Sequence, residues 1–224
     1  MKRFFAWSLS FISILLVASS SFAQEPGDAA QLKVGPMFGF GGEVEGETEV
    51  DTNFGGISVE EEIDENMETT YGLMGNYDAP IHDNISLGGR IMLATFNDEE
   101  RADEDWARNW LLNLNFAPRL HVEARDIPLE FYATTPLGPS FQFAGEDWED
   151  EGEVELETGV DWNVSLLLGA NYWLDDTIGG FVEVGWMSQN IDWDGETTGD
   201  NPSDVQVDAS FGQFALNLGV TLPM

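Results

Sequence analysis

The chain has 224 residues, no cysteine, and 42 acidic against 8 basic side chains, which gives a formal net charge of −34 at pH 7. A surface this negative repels phosphate groups, so the composition excludes nucleic acid as a partner. The absence of cysteine excludes disulfide bonds, so an exported chain of this composition must be stabilised by a sheet or by a sizeable core.

The first residues have the pattern of a secretory signal peptide. Lys2 and Arg3 precede an apolar segment over 11–18 and the small-x-small site Ser21-Phe22-Ala23. This pattern predicts a signal peptide over 1–23 and a single domain over 24–224. The apolar segment is short for a bilayer span, and no later stretch is long and apolar enough for a transmembrane helix. If the exported chain lies in a membrane, we expect it to cross as a closed barrel.

Eight later segments alternate apolar and polar residues with period two, which is the pattern of β-strands with two unlike faces. In chain order these predicted strands lie within 32–40, 71–77, 85–93, 110–116, 131–143, 160–172, 182–186 and 214–222. Pro36, Pro136 and Pro139 fall inside them, and Pro118 falls two residues beyond the fourth. Because each proline removes a ladder hydrogen bond, we expect bulges or bends at these positions.

The connections between the predicted strands alternate in length. Short turns are predicted near 82–84, 125–128 and 175–179, and long loops over 45–68, 98–107, 145–157 and 194–204. Short turns on one side and long loops on the other are typical of bacterial outer-membrane barrels.

Period two does not say which face of a barrel is the interior, because a soluble ligand-binding barrel has the same alternation with its apolar face inward. The polar face is rich in Gly, Ser and Asn, which suits a crowded, hydrated interior. Aromatic residues near the strand ends of the apolar face are typical of an interfacial girdle; they are Tyr77, Trp110, Trp162, Tyr172 and Trp186. The sequence therefore predicts an all-β fold, a transmembrane antiparallel up-and-down β-barrel of about eight strands. A soluble periplasmic ligand-binding barrel stays open as an alternative.

In these strands and turns the chain resembles the small eight-stranded outer-membrane barrels, the group that includes the OmpA transmembrane domain, OmpX and OmpW. The resemblance is one of pattern over the whole exported chain, without a diagnostic motif. Such barrels usually end on an alternating strand with a terminal aromatic, which the barrel-assembly machinery recognises. Here 214–222 keeps the alternation and Met224 stands in the aromatic position. No peptidoglycan-binding domain of the kind found in full-length OmpA-type proteins is expected after this strand.

The resemblance also implies a location and partners. It places the protein in the outer membrane of a Gram-negative-type envelope, with the long loops outside the cell and the short turns in the periplasm. The lipid bilayer is then one partner, and the barrel-assembly machinery is another during biogenesis.

Three of the scarce basic residues fall on the predicted inward face, toward the short-turn half of the barrel. They are Lys33, Arg90 and Arg119, and Glu130 and Glu183 share that face and that half. The interior of an eight-stranded barrel is just wide enough for side chains to fill. These charges are expected either to pair and close the lumen or to be solvated separately in a wet interior.

The acidic runs 60–65, 98–100 and 146–151 lack the spaced ligand pattern of an EF-hand. They predict a solvated, repulsive surface with weak divalent cation association, and no dedicated metal site. The sequence contains no cofactor motif, nucleophile motif or phosphate loop. The two histidines, His82 and His121, fall near predicted periplasmic turns, away from the outer side where lipid-modifying barrels and outer-membrane proteases meet their substrates.

These observations predict a non-enzymatic outer-membrane barrel without cofactor, with a structural or surface-interaction role. A narrow channel or conduit for small hydrophobic molecules is the alternative that the same sequence allows.

Overall fold

The structure is a computed structural model that describes residues 29–52, 57–96, 109–124, 127–145, 154–197 and 202–224. The predicted signal peptide, the predicted loop 98–107 and the acidic runs 98–100 and 146–151 lie outside the described residues. The strands are β1 (Gln31–Phe40), β2 (Glu43–Thr52), β3 (Ile57–Asn66), β4 (Thr70–His82), β5 (Ile85–Phe96), β6 (Asn109–Glu123), β7 (Leu129–Thr134), β8 (Leu137–Phe143), β9 (Val154–Leu156), β10 (Gly159–Trp173), β11 (Gly179–Thr197) and β12 (Asp204–Pro223). Within these ranges no helix has the length and apolarity needed to span a bilayer.

The strands form a closed antiparallel ring. Its order is β1-β4-β5-β6, then the broken strand β7 and β8, then β10-β11-β12. The ring closes between β1 and β12, where Gln31 pairs with Pro223 and Phe40 with Phe214. It therefore contains eight strands, and β2, β3, β8 and β9 continue strands of the ring across short interruptions. The predicted fold class is confirmed.

Two interruptions have clear local causes. Gly41 and Gly42 have φ values of 61° and 109°, which side-chain-bearing residues adopt with strain. Phe40 pairs with Phe214 and Val44 with Phe211. Three residues therefore lie between the paired positions on this side and two on β12, as in a β-bulge. The fifth ring strand breaks at 135–136, so the predicted bend is correct at Pro136. The expectation of a bulge is wrong at Pro36, Pro118 and Pro139, which lie inside β1, β6 and β8 in unbroken register with their cross-strand partners.

In the part of the barrel that includes the short turns, apolar side chains point outward and polar side chains point inward. Leu73, Leu166 and Leu168 are more than 60% exposed on the outer wall. Of the predicted girdle residues, Trp110, Trp162, Tyr172 and Trp186 are exposed on this wall and Tyr77 is half-exposed. We call this part, formed by β1, β4–β8, β10 and the adjoining parts of β11 and β12, the barrel body.

The prediction of long loops over 45–68 and 194–204 is wrong. Residues 43–52 and 57–66 form the paired strands β2 and β3, β11 runs to Thr197, and β12 begins at Asp204. The predicted loop 145–157 also contains β9 near its end. We call β2, β3 and β9, together with 188–197 of β11 and 204–212 of β12, the extension, because it continues the barrel wall beyond the body.

The extension reverses the polarity of the two faces. On β12, Val205, Val207 and Phe211 are buried in the interior, while Asp204 and Asp208 are exposed outside. Acidic residues at the outward positions are typical of a loop in a barrel whose apolar residues all point outward; in the extension the apolar residues point inward, so these acidic residues belong to strands.

Candidate functional site

The barrel interior contains three layers along the strand direction. A layer of charged side chains lies toward the short turns, a layer of methionines and amides lies above it, and an apolar chamber lies inside the extension. The layers are described in that order.

In the charged layer, Glu183 accepts hydrogen bonds from three side chains. Arg90 Nη2 donates to Glu183 Oε1 at 2.8 Å, and the Tyr132 hydroxyl donates to the same oxygen at 3.0 Å. Asn217 Nδ2 donates to Glu183 Oε2 at 3.0 Å. Arg90 Nε also donates to Asn76 Oδ1 at 3.2 Å. The buried carboxylate is therefore both charge-paired and saturated with donors.

Arg119 forms the second centre of this layer. Its Nη1 donates to Asp78 Oδ2 at 3.1 Å and to Gln31 Oε1 at 2.8 Å. Its Nη2 contacts the carboxylate of Glu130. Gln31 Nε2 in turn donates to Glu130 Oε2 at 3.1 Å. This guanidinium thus links strands from opposite sides of the ring.

An aromatic ring joins the two centres. Lys33 Nζ lies 3.6 Å from the Tyr132 ring centroid and 3.6 Å from Asp78 Oδ2, and Arg119 Cζ lies 4.0 Å from the same ring. Cations over an aromatic face are attracted by its quadrupole. The ring has room because Gly169 stands opposite it; a Cβ at that position would lie 2.3 Å from Tyr132 Cζ.

The six charged residues of this layer balance, and we call them the charge network: the cations are Lys33, Arg90 and Arg119, and the carboxylates are Asp78, Glu130 and Glu183. All six are buried. The structure thus brings the five charges singled out in the sequence together. Asp78 and Tyr132 were not singled out, although inward alternation on β4 and β7 marks both positions.

His121 lies beside the charge network. Its Nε2 is 3.3 Å from Ser86 Oγ, and its Nδ1 is 3.9 Å from Glu130 Oε1. A serine, a histidine and a carboxylate in this order have the composition of a hydrolytic triad. However, all three are buried, and the carboxylate is already engaged by Arg119 and Gln31. The arrangement is therefore part of the interior hydrogen-bond network.

The middle layer combines thioethers and amides. Met74 and Met92 are cross-strand partners on β4 and β5. Asn115 of β6 and Asn163 of β10, which flank Gly138 of β8, exchange hydrogen bonds of 2.9 and 3.0 Å. Other members of this layer are Met37, Met187, Leu111, Leu167, Asn113 and Gln189, all buried. Methionine fills irregular space and adjusts its shape readily.

Inside the extension lies an apolar chamber with a volume of about 320 Å³. Phe96 stacks on Trp193 with centroids 6.2 Å apart and on Phe211 with centroids 5.4 Å apart. The remaining apolar lining comes from Val44, Ile63, Met67, Ile191, Val207 and Ala209. Glu61, Glu62 and Glu65 of β3 also contribute to the chamber lining; Glu61 and Glu65 have the inward parity of Ile63, whereas Glu62 pairs with Glu47 and has the parity of the outer face.

The outer face of the extension carries rows of acidic residues. In one row Asp192 pairs with Asp208, Asp208 with Glu47, and Glu47 with Glu62. Partial burial, followed by repulsion from Asp208, Asp194 and Asp161, raises the pKa of Asp192 above its ordinary value. Like charges directly opposite each other destabilise a sheet. Among the described residues, no group of His, Cys, Asp or Glu has the arrangement of a metal site.

The chain matches no protein-family model and no curated protein sequence. Its structure is similar to the crystal structure of the outer membrane protein OprG from Pseudomonas aeruginosa, with a TM-score of 0.56 and 11% identity over 91% of this chain and 99% of that chain. It also aligns with the solid-state NMR structure of outer membrane protein AlkL in lipid bilayers, with a TM-score of 0.46 and 15% identity over 92% and 94% of the two chains. A third alignment is with Neisserial surface protein A, with a TM-score of 0.41 and 9% identity over 85% and 99%. The fold is that of the small eight-stranded outer-membrane β-barrels.

Proposed function

We propose that this protein is a non-enzymatic barrel of the outer membrane that binds small hydrophobic molecules in the chamber of its extension. In this proposal the extension lies outside the cell, the short turns lie in the periplasm, and the exposed aromatic residues of the barrel body form the interfacial girdle. The observation that carries the proposal is the reversal of polarity. An apolar chamber inside an acidic wall does not contribute to anchoring a barrel in lipid, so we assign it a separate role in binding.

The charge network supports a binding site that does not continue as an open pore. Six buried, mutually paired charges fill the section of the lumen nearest the short turns. An eight-stranded barrel leaves little space around such side chains. We therefore expect no stepwise conductance from the purified protein in planar bilayers.

The outer wall of the barrel body supports the membrane location over a soluble periplasmic barrel. Its exposed leucines, valines and aromatic rings form a continuous apolar surface, which in water would be an aggregation hazard. A change in the migration of the folded protein in detergent gels after heating would support the membrane barrel.

Binding is tested with 2-naphthylmethanol as a neutral apolar probe and with the protein in lipid nanodiscs, using empty nanodiscs as the blank. We expect saturable binding by calorimetry. Ile191→Asn places a polar group in the chamber wall and should weaken binding at least about fivefold, since burial of an apolar side chain contributes roughly 1.5–3 kcal/mol. Ser188→Asn on the outer face of the same strand is the matched control. No binding above the blank would contradict the proposal.

The acidic outer face favours a second candidate function, a surface role with weak association of divalent cations. Electrostatic screening shortens to about 8 Å at physiological ionic strength and to about 3 Å at 1 M salt. Sodium chloride alone should then stabilise the extension, and millimolar calcium should add only what its ionic strength explains. A saturable calcium isotherm with a defined stoichiometry in high sodium chloride would instead indicate a dedicated metal site.

A further inference from the structure

We infer that an apolar groove on the outer wall of the barrel body binds the acyl chain of a phospholipid from the surrounding bilayer. The groove lies over the middle of β4 and β5 and the start of β1, and its volume is about 380 Å³. This inference goes beyond the proposed function, because it concerns the outside of the barrel body and not the chamber of the extension.

Two outward-facing glycines open the groove. Gly75 pairs with Ile91, and two residues further along Tyr77 pairs with Gly89, so the two glycines are diagonal neighbours on adjacent strands. Neighbouring outward positions carry large side chains such as Leu73, which is 64% exposed. The two missing side chains therefore leave adjacent gaps that merge into one groove.

Neither glycine is required by packing inside the chain or by its backbone conformation. A Cβ at Gly75 would meet no atom within 4 Å, and a Cβ at Gly89 would lie 3.8 Å from the Asn115 carbonyl oxygen. At Gly72, by contrast, a Cβ would lie 2.2 Å from the Leu93 carbonyl oxygen. Neither Gly75 nor Gly89 has a positive φ. Because glycine inside a strand weakens it and often marks the close approach of a ligand, the open space favours an occupant from outside the chain.

The surface of the groove is hydrocarbon. Met74 and Asn76 have buried side chains inside the barrel, so their backbone forms the floor beside Gly75. No Asp, Glu, Lys or Arg is among the lining residues. The sides are aliphatic and come from Leu32, Val34, Leu73, Ile91 and Leu93. Such a groove complements a hydrocarbon chain and not a charged group.

The occupant follows from the interface to which this wall belongs. The groove is continuous with the exposed apolar surface of the barrel body, and outer-membrane barrels meet the acyl chains of the bilayer with that surface. The rows of Leu73 and Tyr77 are about 13 Å apart along the strand at a rise of roughly 3.3 Å per residue. This length is within the roughly 15 Å that one leaflet contributes to the hydrocarbon core. One acyl chain of one leaflet therefore matches the groove in chemistry and in length.

The test measures phospholipid binding to the folded protein in mild detergent by native mass spectrometry. The probe is dipalmitoyl phosphatidylethanolamine, and we expect one molecule to be retained in preference to further copies. Diphytanoyl phosphatidylethanolamine has the same head group but methyl-branched chains, which are wider than the groove. It should bind at least about fivefold more weakly, because a chain held by packing loses many small contacts when it no longer fits.

Two double variants separate the groove from the rest of the wall. Gly75→Leu combined with Gly89→Leu fills the groove and should weaken binding of the straight-chain lipid at least about fivefold. It should also remove the preference over the branched lipid. Ala170→Leu combined with Gly180→Leu is the matched control, because these outward positions are diagonal neighbours on β10 and β11. The control should bind both lipids as the unchanged protein does. Heat-modifiable migration checks the folding of each variant.

Three outcomes would overturn the inference. Equal binding of the straight and branched lipids, or no preferentially retained molecule, would show that the groove does not hold an acyl chain. Equal weakening by both double variants would assign lipid binding to the wall in general. A dimer that Gly75→Leu with Gly89→Leu dissociates would assign the groove to a second copy of the chain.

Discussion

Strand β12 carries Phe214 and Leu218 on its outer face in the barrel body, and Asp204 and Asp208 on the same face in the extension. Its inner face changes in the opposite sense, from Asn217 to Val207. The backbone alternation continues unchanged along the strand, so the change is one of residue type and not of register. The comparison teaches that residue type on each face changes with position along the strand, as the proposed arrangement requires, in which hydrocarbon surrounds the body and water surrounds the extension.

The two regions also treat charge differently. In the body the buried charges are balanced and hydrogen-bonded to one another. In the extension the acidic residues are concentrated on the outer face with acidic cross-strand partners. A buried charge requires a partner because desolvation is costly, whereas an exposed charge is stabilised by water even beside a like charge.

The largest expected effect is loss of a charge inside the body. Arg90→Gln removes the guanidinium from Glu183, which then remains buried without a counter-charge. We expect a loss of about 3–5 kcal/mol in the free energy of unfolding, measured by reversible unfolding from lipid vesicles. Arg90→Met combined with Glu183→Leu should recover most of it. Unchanged stability of Arg90→Gln would show that the charges are solvated separately, and the charge network would then not close the lumen.

The next largest effect is expected from arginine substitutions on the outer face of β11, one in the body and one in the extension. Val184 and Asp192 both lie on the outer face of β11, in the body and in the extension. Val184→Arg should cost about 2–4 kcal/mol, as expected for arginine near the bilayer midplane. Asp192→Arg should be neutral or stabilising, because it removes repulsion from Asp208 and Asp194. Equal costs at the two positions would mean that the regions do not meet different solvents.

A smaller effect is expected from a glycine that makes room in the body interior. Gly169→Ala would place a Cβ against the Tyr132 ring and displace a residue that contacts Lys33, Arg119 and Glu183. Overpacking of this kind costs about 1–3 kcal/mol. Gly75→Ala is the matched control, because a Cβ there meets no atom within 4 Å. Similar stability of the two variants would show that the ring can move without loss.

The smallest effect concerns the pH dependence of the extension. Because the pKa of Asp192 is raised in the folded state, folding is stabilised when the group is protonated. That stabilisation is present below the ordinary aspartate pKa and is lost as the pH rises through the raised value. Asp192→Asn should raise stability at neutral pH by about 0.2–1 kcal/mol and flatten the pH dependence. Asp175→Asn in a short turn should not raise stability, since hydrogen bonds from Thr177 lower the pKa of Asp175. A gain that is constant with pH would contradict this explanation.

The sequence predicted the ring of strands because a barrel in lipid needs an uninterrupted apolar outer face, which appears as alternation along each strand. Leu166 and Leu168 are recognisable from period two alone, and the inward position of Lys33 and Arg90 follows from the same alternation. Trp193 and Phe96 were missed as chamber residues because the apolar face was assumed to point outward everywhere. Residues 204–211 also alternate, with apolar residues at odd positions, whereas the apolar residues of 214–222 occupy even positions. This alternation was a visible signal that the wall continued.

By itself the sequence determined the closed antiparallel barrel, its apolar outer wall and the set of charges inside it, since all of these depend on alternation along single strands. Only the tertiary structure decided which charges meet, because Arg119 of β6 reaches Gln31 of β1 and Asp78 of β4 as well as Glu130 of the adjacent strand β7. It also decided that Phe96, Trp193 and Phe211 form one aromatic cluster at the chamber, since these residues come from three strands that approach one another only when the ring closes. Contacts across a barrel depend on strand stagger and on bulges such as the one at Gly41 and Gly42. No single strand contains that information.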